Sequence, residues 1–182
     1  MTATPEQAIA AAVTQSKYGP AFGIGLCLQR VRMCYGVGPR DPDASTAWAL
    51  AKYRHTQTNP VSIPRGVPVF WTGGSSGHGH IAIATGDGTC WSTDIRRTGY
   101  FDRVPIAEIH DRWGLTLVGW TEDINGVRVW SPPAPPKPEP IKVSGRVKVI
   151  RRAAHRAKVA GHDGWAARLT RWADALEKRA GK

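Results

Sequence analysis

Hydrophobic spacing divides the chain into a helical N-terminal third and a strand-rich centre. Thr4-Pro5-Glu6 places Thr at an N-cap and Pro at the first helical position, which predicts a helix running through an alanine-rich stretch to about Ser16. After the glycines of 23–25, apolar residues at helical spacing predict a second helix over 26–35. A third, short helix is predicted over 44–53.

From residue 63 the hydrophobic period changes. Short runs rich in β-branched and aromatic residues predict four strands, at 67–71, 81–85, 89–93 and 115–120. The turn Gly86-Asp87-Gly88 is expected to join the second and third of these as a hairpin. Helices first and an antiparallel sheet afterwards predict an α+β fold.

The C-terminal part has a different pattern. Residues 131–140 are proline-rich and predict a stiff polyproline-type linker between a domain at 1–130 and a tail at 141–182. The tail is predicted to form two amphipathic helices around a break at 161–164. A hairpin of this size has little core of its own, so it is expected to dock on a partner or to associate with itself.

Charge is concentrated in this tail. The 182-residue chain has a net charge of +11, and residues 141–182 contribute 12 Lys and Arg against 3 Asp and Glu. Such a tail suits polyanions, which leaves wall polymers, an acidic membrane surface and nucleic acid as candidate partners. The first residues lack a basic stretch followed by an apolar core, so we expect a soluble protein made without a secretion signal.

Three cysteines, an odd number without zinc-finger spacing, argue against a disulfide scaffold. Cys27 falls in the first turn of the second predicted helix, where the helix N-terminus is expected to lower the pKa of its thiol. His80 opens a strand and could act as general base. On the next strand Cys90, Ser92 and Asp94 share a face by period two, and Asp94 is the charged member that could orient the imidazole. The sequence predicts a triad of Cys27, His80 and Asp94.

A zinc site is the alternative for the same histidines. His78 and His80 are two residues apart, so on a strand both rings would point one way and could bind zinc with Asp94 or His110. The thiol mechanism requires no metal and no other cofactor. We therefore predict a site with no cofactor and keep the zinc site as the minor alternative.

Substrate contacts are predicted from aromatic residues and one loop histidine. Exposed Trp71 and Trp91 could line a groove for a sugar or a peptide, since an indole face packs well on apolar C–H surfaces. His78, in the glycine-rich loop before the strand, could also contact substrate. Trp113 and Trp120 fall at positions expected to be buried.

These motifs carry a resemblance to a known family. The start Gly25-Leu26-Cys27, the strand at 67–71 and the segment Gly79-His80-Ile81-Ala82 resemble the CHAP family of cysteine, histidine-dependent amidohydrolases and peptidases, within the wider papain-like NlpC-type hydrolases. The segment 79–95 looks more narrowly like the peptidase domains of actinobacteriophage endolysins. The likeness covers roughly residues 5–130.

The resemblance implies a papain-like fold and cleavage of an amide or peptide bond in bacterial peptidoglycan. It implies that Cys27 attacks the carbonyl, that His80 takes and returns the proton, and that an acyl-enzyme is then hydrolysed. The family usually has Gln directly before the nucleophile; this chain has Leu26 there, which leaves the second oxyanion donor open. The resemblance does not indicate which bond is cleaved: the N-acetylmuramoyl–L-Ala bond, a bond of the stem peptide and a cross-bridge bond all fit. The resemblance also implies that the protein waits in the host cytoplasm and acts at the cell wall after a holin opens the membrane, or that it is carried in a virion.

Two other functions fit the sequence less well. A non-catalytic virion or wall-binding protein on a papain-like scaffold would bind without turnover, and its site would be vestigial. A nucleic-acid-binding protein would depend on the basic tail alone, which contains no recognised motif, so no specific nucleic acid is expected.

Overall fold

The chain divides into two compact units, Met1–Pro132 and Pro133–Lys182. A computed structural model describes residues 2–134 and 143–180. The polyproline conformation predicted for 131–140 falls largely outside the described residues. Each unit buries a hydrophobic core of its own.

Three helices open the first unit: α1 at Pro5–Lys17, α2 at Cys27–Cys34 and α3 at Ala44–Leu50. All three predicted helices are confirmed, the third with an earlier end. The Thr4 hydroxyl accepts a hydrogen bond from the Gln7 backbone N–H, and the Gln7 side chain reciprocates, as in a capping box.

A six-stranded antiparallel sheet follows, in the order β1-β6-β2-β3-β4-β5. The α+β prediction is confirmed, and so are the four predicted strands and the hairpin between the second and third. The strands are β1 at Arg54–His55, β2 at Pro68–Thr72, β3 at His80–Ala84, β4 at Thr89–Thr93, β5 at Phe101–Pro105 and β6 at Thr116–Thr121.

Several shorter elements were not predicted from the sequence. Strand β1 has only two residues, and β5 carries the charged pair Asp102 and Arg103 in place of a continuous apolar run. Helix α4, at Ile106–Trp113, buries only Ile106 and Ile109 and ends at a left-handed Gly114. The other missed elements are a 3-10 turn at Pro60–Ser62 and the small hairpin of β7 at Asp123–Ile124 and β8 at Val127–Arg128.

The sheet separates the core of the first unit into two clusters. Side chains alternate along each strand, so Ile81 and Ile83 of β3 pack with the cluster that contains α1, α2 and α3 residues. Ala82 and Ala84 belong to the other cluster, which includes the α4 residues. Strand β3 is therefore covered on both faces, and its first residue lies where α2 and the sheet meet.

The second unit is a helical hairpin of α5, at Val143–Val159, and α6, at Asp163–Ala180. This confirms the two predicted tail helices and the break between them. Its core is small: Val147, Ile150 and Ala173 are buried, with Leu169 and Leu176 partly buried against them. In the described part of the chain, no helix combines the length and apolar character needed to cross a membrane.

Candidate active site

A cavity of about 660 Å³ opens at the N-terminus of α2. Its walls come from the start of α2, the segment leading into α3, the glycine-rich loop 73–79 and the end of β4. The three predicted catalytic residues, Cys27, His80 and Asp94, all line it, and so does His78. Residues distant in sequence are thus brought to one cavity.

Cys27 is the first residue of α2, and its thiol is half-buried. Burial raises the pKa of Cys27 to about 11, although backbone hydrogen bonds from Ile81 and Leu28 act in the opposite direction. The expected lowering of the pKa by the helix N-terminus is therefore wrong, because desolvation of the sulfur outweighs the favourable backbone hydrogen bonds. At neutral pH Cys27 is a thiol.

The other two cysteines are buried away from the cavity. Cys34 accepts a hydrogen bond from Gln15 Nε2 at 3.3 Å, and burial raises the pKa of Cys34 to about 12. Burial also raises the pKa of Cys90, on β4. All three thiols are free, and Cys27 is the one that lines the cavity.

His80 is the first residue of β3 and only 4% exposed. Its ring packs near two indoles, with its centroid 5.8 Å from that of Trp71 and 5.0 Å from that of Trp113. Burial lowers the pKa of His80 to about 3, so the imidazole is neutral at physiological pH.

Gly79 fixes how the chain enters β3. Its φ is +64°, and a Cβ at this position would collide with the carbonyl oxygen of Trp71 and lie 2.7 Å from Ser45 Oγ. Only glycine combines this backbone conformation with so close an approach. The position of the His80 ring therefore depends on the glycine before it.

The hydrogen-bond partner of the imidazole is Ser92. The His80 Nε2 and Ser92 Oγ atoms are 2.8 Å apart, and both side chains are buried. Asp94, predicted to hold the imidazole, does not share the strand face, because β4 ends at Thr93 and Asp94 has a φ of +63°. Its Oδ1 accepts the Gly99 N–H at 2.8 Å instead. The period-two pattern predicted that Ser92 lies on that face, but Asp94 was preferred as the partner of His80 because it is the charged residue.

The predicted aromatic wall is also corrected. Trp71 is only 1% exposed, and Trp91 is half-buried against the core beside the N-terminal helices, so neither lines the cavity. Trp113, expected to be buried, is 39% exposed and lines the cavity together with Leu115. Trp113 lies on the same stripe of α4 as Ile106 and Ile109, at the C-terminal end of the helix, and there its side chain lines the cavity. The burial predicted for Trp120 is confirmed.

The histidines of the zinc alternative occupy different settings. His78 is exposed on the loop, while His110 lies on α4 with its Nδ1 3.0 Å from the Leu115 carbonyl oxygen. Within residues 2–134 and 143–180, no group of three or more His, Cys, Asp or Glu side chains could hold a metal ion.

A second candidate surface lies on the hairpin. We call it the basic face; it is a shallow concavity lined by Val147, by Glu177 of α6 and by the cationic and imidazole side chains of α5 that give the face its name: Lys148, Arg151, Arg152, His155 and Arg156. Arg151 pairs with Asp174 and Glu177, and the described residues provide no acidic partner for the other members. On α6, Trp165 is 64% exposed and Trp172 58% exposed.

No family model, curated protein or solved structure matches this chain. Its function is therefore inferred from the geometry of the cavity and from the motifs in the sequence.

Proposed function

We propose that the first unit is a papain-like cysteine hydrolase of the CHAP or NlpC type, which cleaves an amide or peptide bond of bacterial peptidoglycan. One observation carries this proposal. A cysteine at the start of α2 and a buried histidine at the start of β3 line the same cavity, and the Nε2 atom of that histidine is hydrogen-bonded to Ser92.

The hydrogen bonds suggest which nitrogen acts. In the tautomer with hydrogen on Nε2, His80 donates to Ser92 Oγ, and Ser92 can donate in turn to the Thr93 carbonyl oxygen at 3.4 Å. The Nδ1 lone pair is then free to accept the proton of the Cys27 thiol. Ser92 holds the ring in this orientation, the role that an acceptor or donor behind the base has in catalytic triads.

The reaction follows from these positions. The Cys27 sulfur attacks the carbonyl carbon as its proton passes to His80 Nδ1, and the Cys27 backbone N–H can stabilise the oxyanion. His80 returns the proton to the leaving amine nitrogen, and the C–N bond breaks to leave a thioester. Water activated by His80 then attacks the thioester, releasing a carboxylate and restoring the thiol. Because thiol and imidazole are both neutral at rest, proton transfer must accompany the attack.

The proposal is tested by incubating the purified chain with actinobacterial peptidoglycan. Soluble products are identified by mass spectrometry while new amino groups are counted. Release of amino groups is the expected result, and the fragment masses identify which bond is cleaved. If no wall type releases fragments, the protein is the non-catalytic virion or wall-binding component that is the second candidate.

Ser92→Ala is expected to lower kcat about 2- to 10-fold with little change in KM. A neutral hydrogen bond is worth about 0.5–1.5 kcal/mol, and here it orients the base while leaving substrate contacts untouched. Ser92→Thr, which keeps the hydroxyl, should restore most of the rate. Ser62→Ala, in the exposed 3-10 turn, is the control. An unchanged kcat in Ser92→Ala would show that the bond to His80 does not assist the reaction.

The hairpin supports a role in holding the enzyme on the wall. Residues 143–180 carry ten Lys and Arg against three Asp and Glu, and the exposed indoles of Trp165 and Trp172 can pack on sugar or lipid. We propose anionic wall polymers as the partner, because a row of exposed cations matches their repeated negative charges. A membrane surface and a second copy of the hairpin are the alternatives.

Reversing two charges of the basic face, Arg152→Glu with Arg156→Glu, is expected to weaken sedimentation with intact walls about tenfold or more at physiological salt. Exposed charge pairs contribute up to about 1 kcal/mol each, and reversal replaces attraction by repulsion. Lys17→Glu with Lys52→Glu, in the first unit, makes the same charge change as a control. Equal binding by both double variants would rule out the basic face, and binding to anionic vesicles but not to walls would favour a membrane.

A further inference from the structure

The glycine-rich loop 73–79 forms one wall of the cavity and leads directly into β3. Two backbone hydrogen bonds lie within the loop: the Gly77 N–H donates to the Gly74 carbonyl oxygen at 3.1 Å, and the Gly79 N–H donates to that of Gly73 at 3.3 Å. A segment so rich in glycine loses much conformational entropy when it is ordered. Contacts with other elements are therefore needed to hold the loop in one place.

Ser45, the second residue of α3, makes such contacts. Its Oγ donates a hydrogen bond to the Gly77 carbonyl oxygen at 2.7 Å, and its backbone N–H donates to the His78 carbonyl oxygen at 2.9 Å. Its side chain also lies against Gly79, since a Cβ at that glycine would be 2.7 Å from Ser45 Oγ. One serine thus contacts all three residues that precede His80.

Capping of α3 does not account for the Ser45 hydroxyl. The N-cap of the helix is Asp43, whose Oδ1 accepts the Thr46 N–H at 2.7 Å. The Ser45 N–H is one of the first-turn amides that have no partner inside a helix, and the His78 carbonyl oxygen provides one. The hydroxyl, in contrast, donates to the loop and to no group of its own helix. Ser45 does not line the cavity, so its effect on the site must pass through the loop.

The position of the loop matters because the proposed general base follows it. The His80 ring is hydrogen-bonded to Ser92 through Nε2, which fixes the rotation of the ring. The place from which the ring extends depends instead on the backbone that enters β3. A general base must lie within hydrogen-bond reach of the proton that it takes, so a small displacement of this backbone is costly.

We infer that Ser45 is a positioning residue of the proposed active site: it holds the loop so that His80 Nδ1 reaches the proton of the Cys27 thiol. The inference rests on the proposed hydrolase function and adds a residue that contacts neither the nucleophile nor the cavity. Two serines then support one base, Ser92 by orienting the ring and Ser45 by fixing the backbone before it.

Ser45→Ala is expected to lower kcat about 2- to 10-fold with KM nearly unchanged, because one neutral hydrogen bond to the loop is lost while the cavity lining keeps its side chains. Ser45→Thr keeps the hydroxyl and should recover most of the rate. Thr46→Ala removes a hydroxyl from the next residue of α3 and should leave kcat at the wild-type value. A wild-type kcat in Ser45→Ala, or an equal loss in Thr46→Ala, would overturn the inference and leave the hydrolase intact.

Two measurements on the free protein require no turnover. Hydrogen exchange followed by mass spectrometry should become about 2- to 10-fold faster over residues 77–80 in Ser45→Ala, with β4 and β5 unchanged. The ¹⁵N signals of the His80 ring, assigned by their loss in His80→Gln, should shift or broaden in Ser45→Ala and keep their wild-type positions in Ser45→Thr and Thr46→Ala.

These readouts separate the inference from the hydrolase proposal. If the wild type cleaves no peptidoglycan but the loop and the His80 ring respond to Ser45→Ala as expected, the hydrolase proposal fails and the positioning of His80 by Ser45 stands. Unchanged His80 ring signals in Ser45→Ala would overturn the inference whatever the exchange rate of the loop.

Discussion

Replacing Cys27 by Ala is expected to reduce fragment release from peptidoglycan to the background rate without enzyme. The substitution removes the sulfur that forms the thioester, and no second nucleophile among the cysteines lines the cavity. Because Cys27 is half-buried at the start of α2, Ala fits the helix and the fold should persist. Release is followed by mass spectrometry and by new amino groups, and folding by circular dichroism.

Cys90→Ala is the matched control for this result. Cys90 is fully buried on β4, so its loss should cost stability of about 1 kcal/mol while leaving the released fragments unchanged. If Cys27→Ala releases the same fragments as wild type, the nucleophile is not this thiol. A chelator would then test the zinc alternative with His78 and His80.

Replacing His80 by Gln is expected to lower kcat by about 10²- to 10⁴-fold, the usual contribution of a positioned general acid and base. Gln retains a polar group near Ser92 but cannot take and return a proton. The loss should appear at every pH, because residue 80 no longer carries an imidazole to take up and return a proton. Steady-state kinetics with a defined peptide would measure it.

His55→Gln distinguishes catalysis from stability. The His55 ring stacks on Trp120, with 3.7 Å between ring centroids. The two residues lie on β1 and β6, at the edge of the sheet opposite to β4 and β5. Its replacement should lower the melting temperature without a comparable loss of kcat. If His80→Gln retains wild-type kcat while unfolding at a lower temperature, His80 is a structural residue and a different base must be sought.

Local pattern was sufficient for the larger elements. Capping at Thr4, the glycines around α2 and the change of period near residue 63 predicted three helices and four strands. The short and charged elements were not predicted. Strand β5, for example, contains Asp102, a buried carboxylate that forms an ion pair with Arg97. The hydrophobic pattern of a strand does not reveal such a pair. Tertiary contacts decide these elements.

The lining of the cavity was predicted in part. Cys27 and His80 were identified from a helix start and a strand start, which are local features. The partner of His80 was missed because one left-handed residue at 94 ends the alternation along β4. The direction of the Cys27 pKa shift was also missed, since it depends on burial by residues far away in sequence.

The neutral state of the thiol and imidazole has a consequence for chemical durability. With the pKa of Cys27 at about 11, only on the order of one molecule in ten thousand carries a thiolate at pH 7. Peroxides and other oxidants react with thiolates, so Cys27 offers them almost no target at neutral pH. As the proposed nucleophile, Cys27 is therefore protected from oxidants whenever its thiol is protonated.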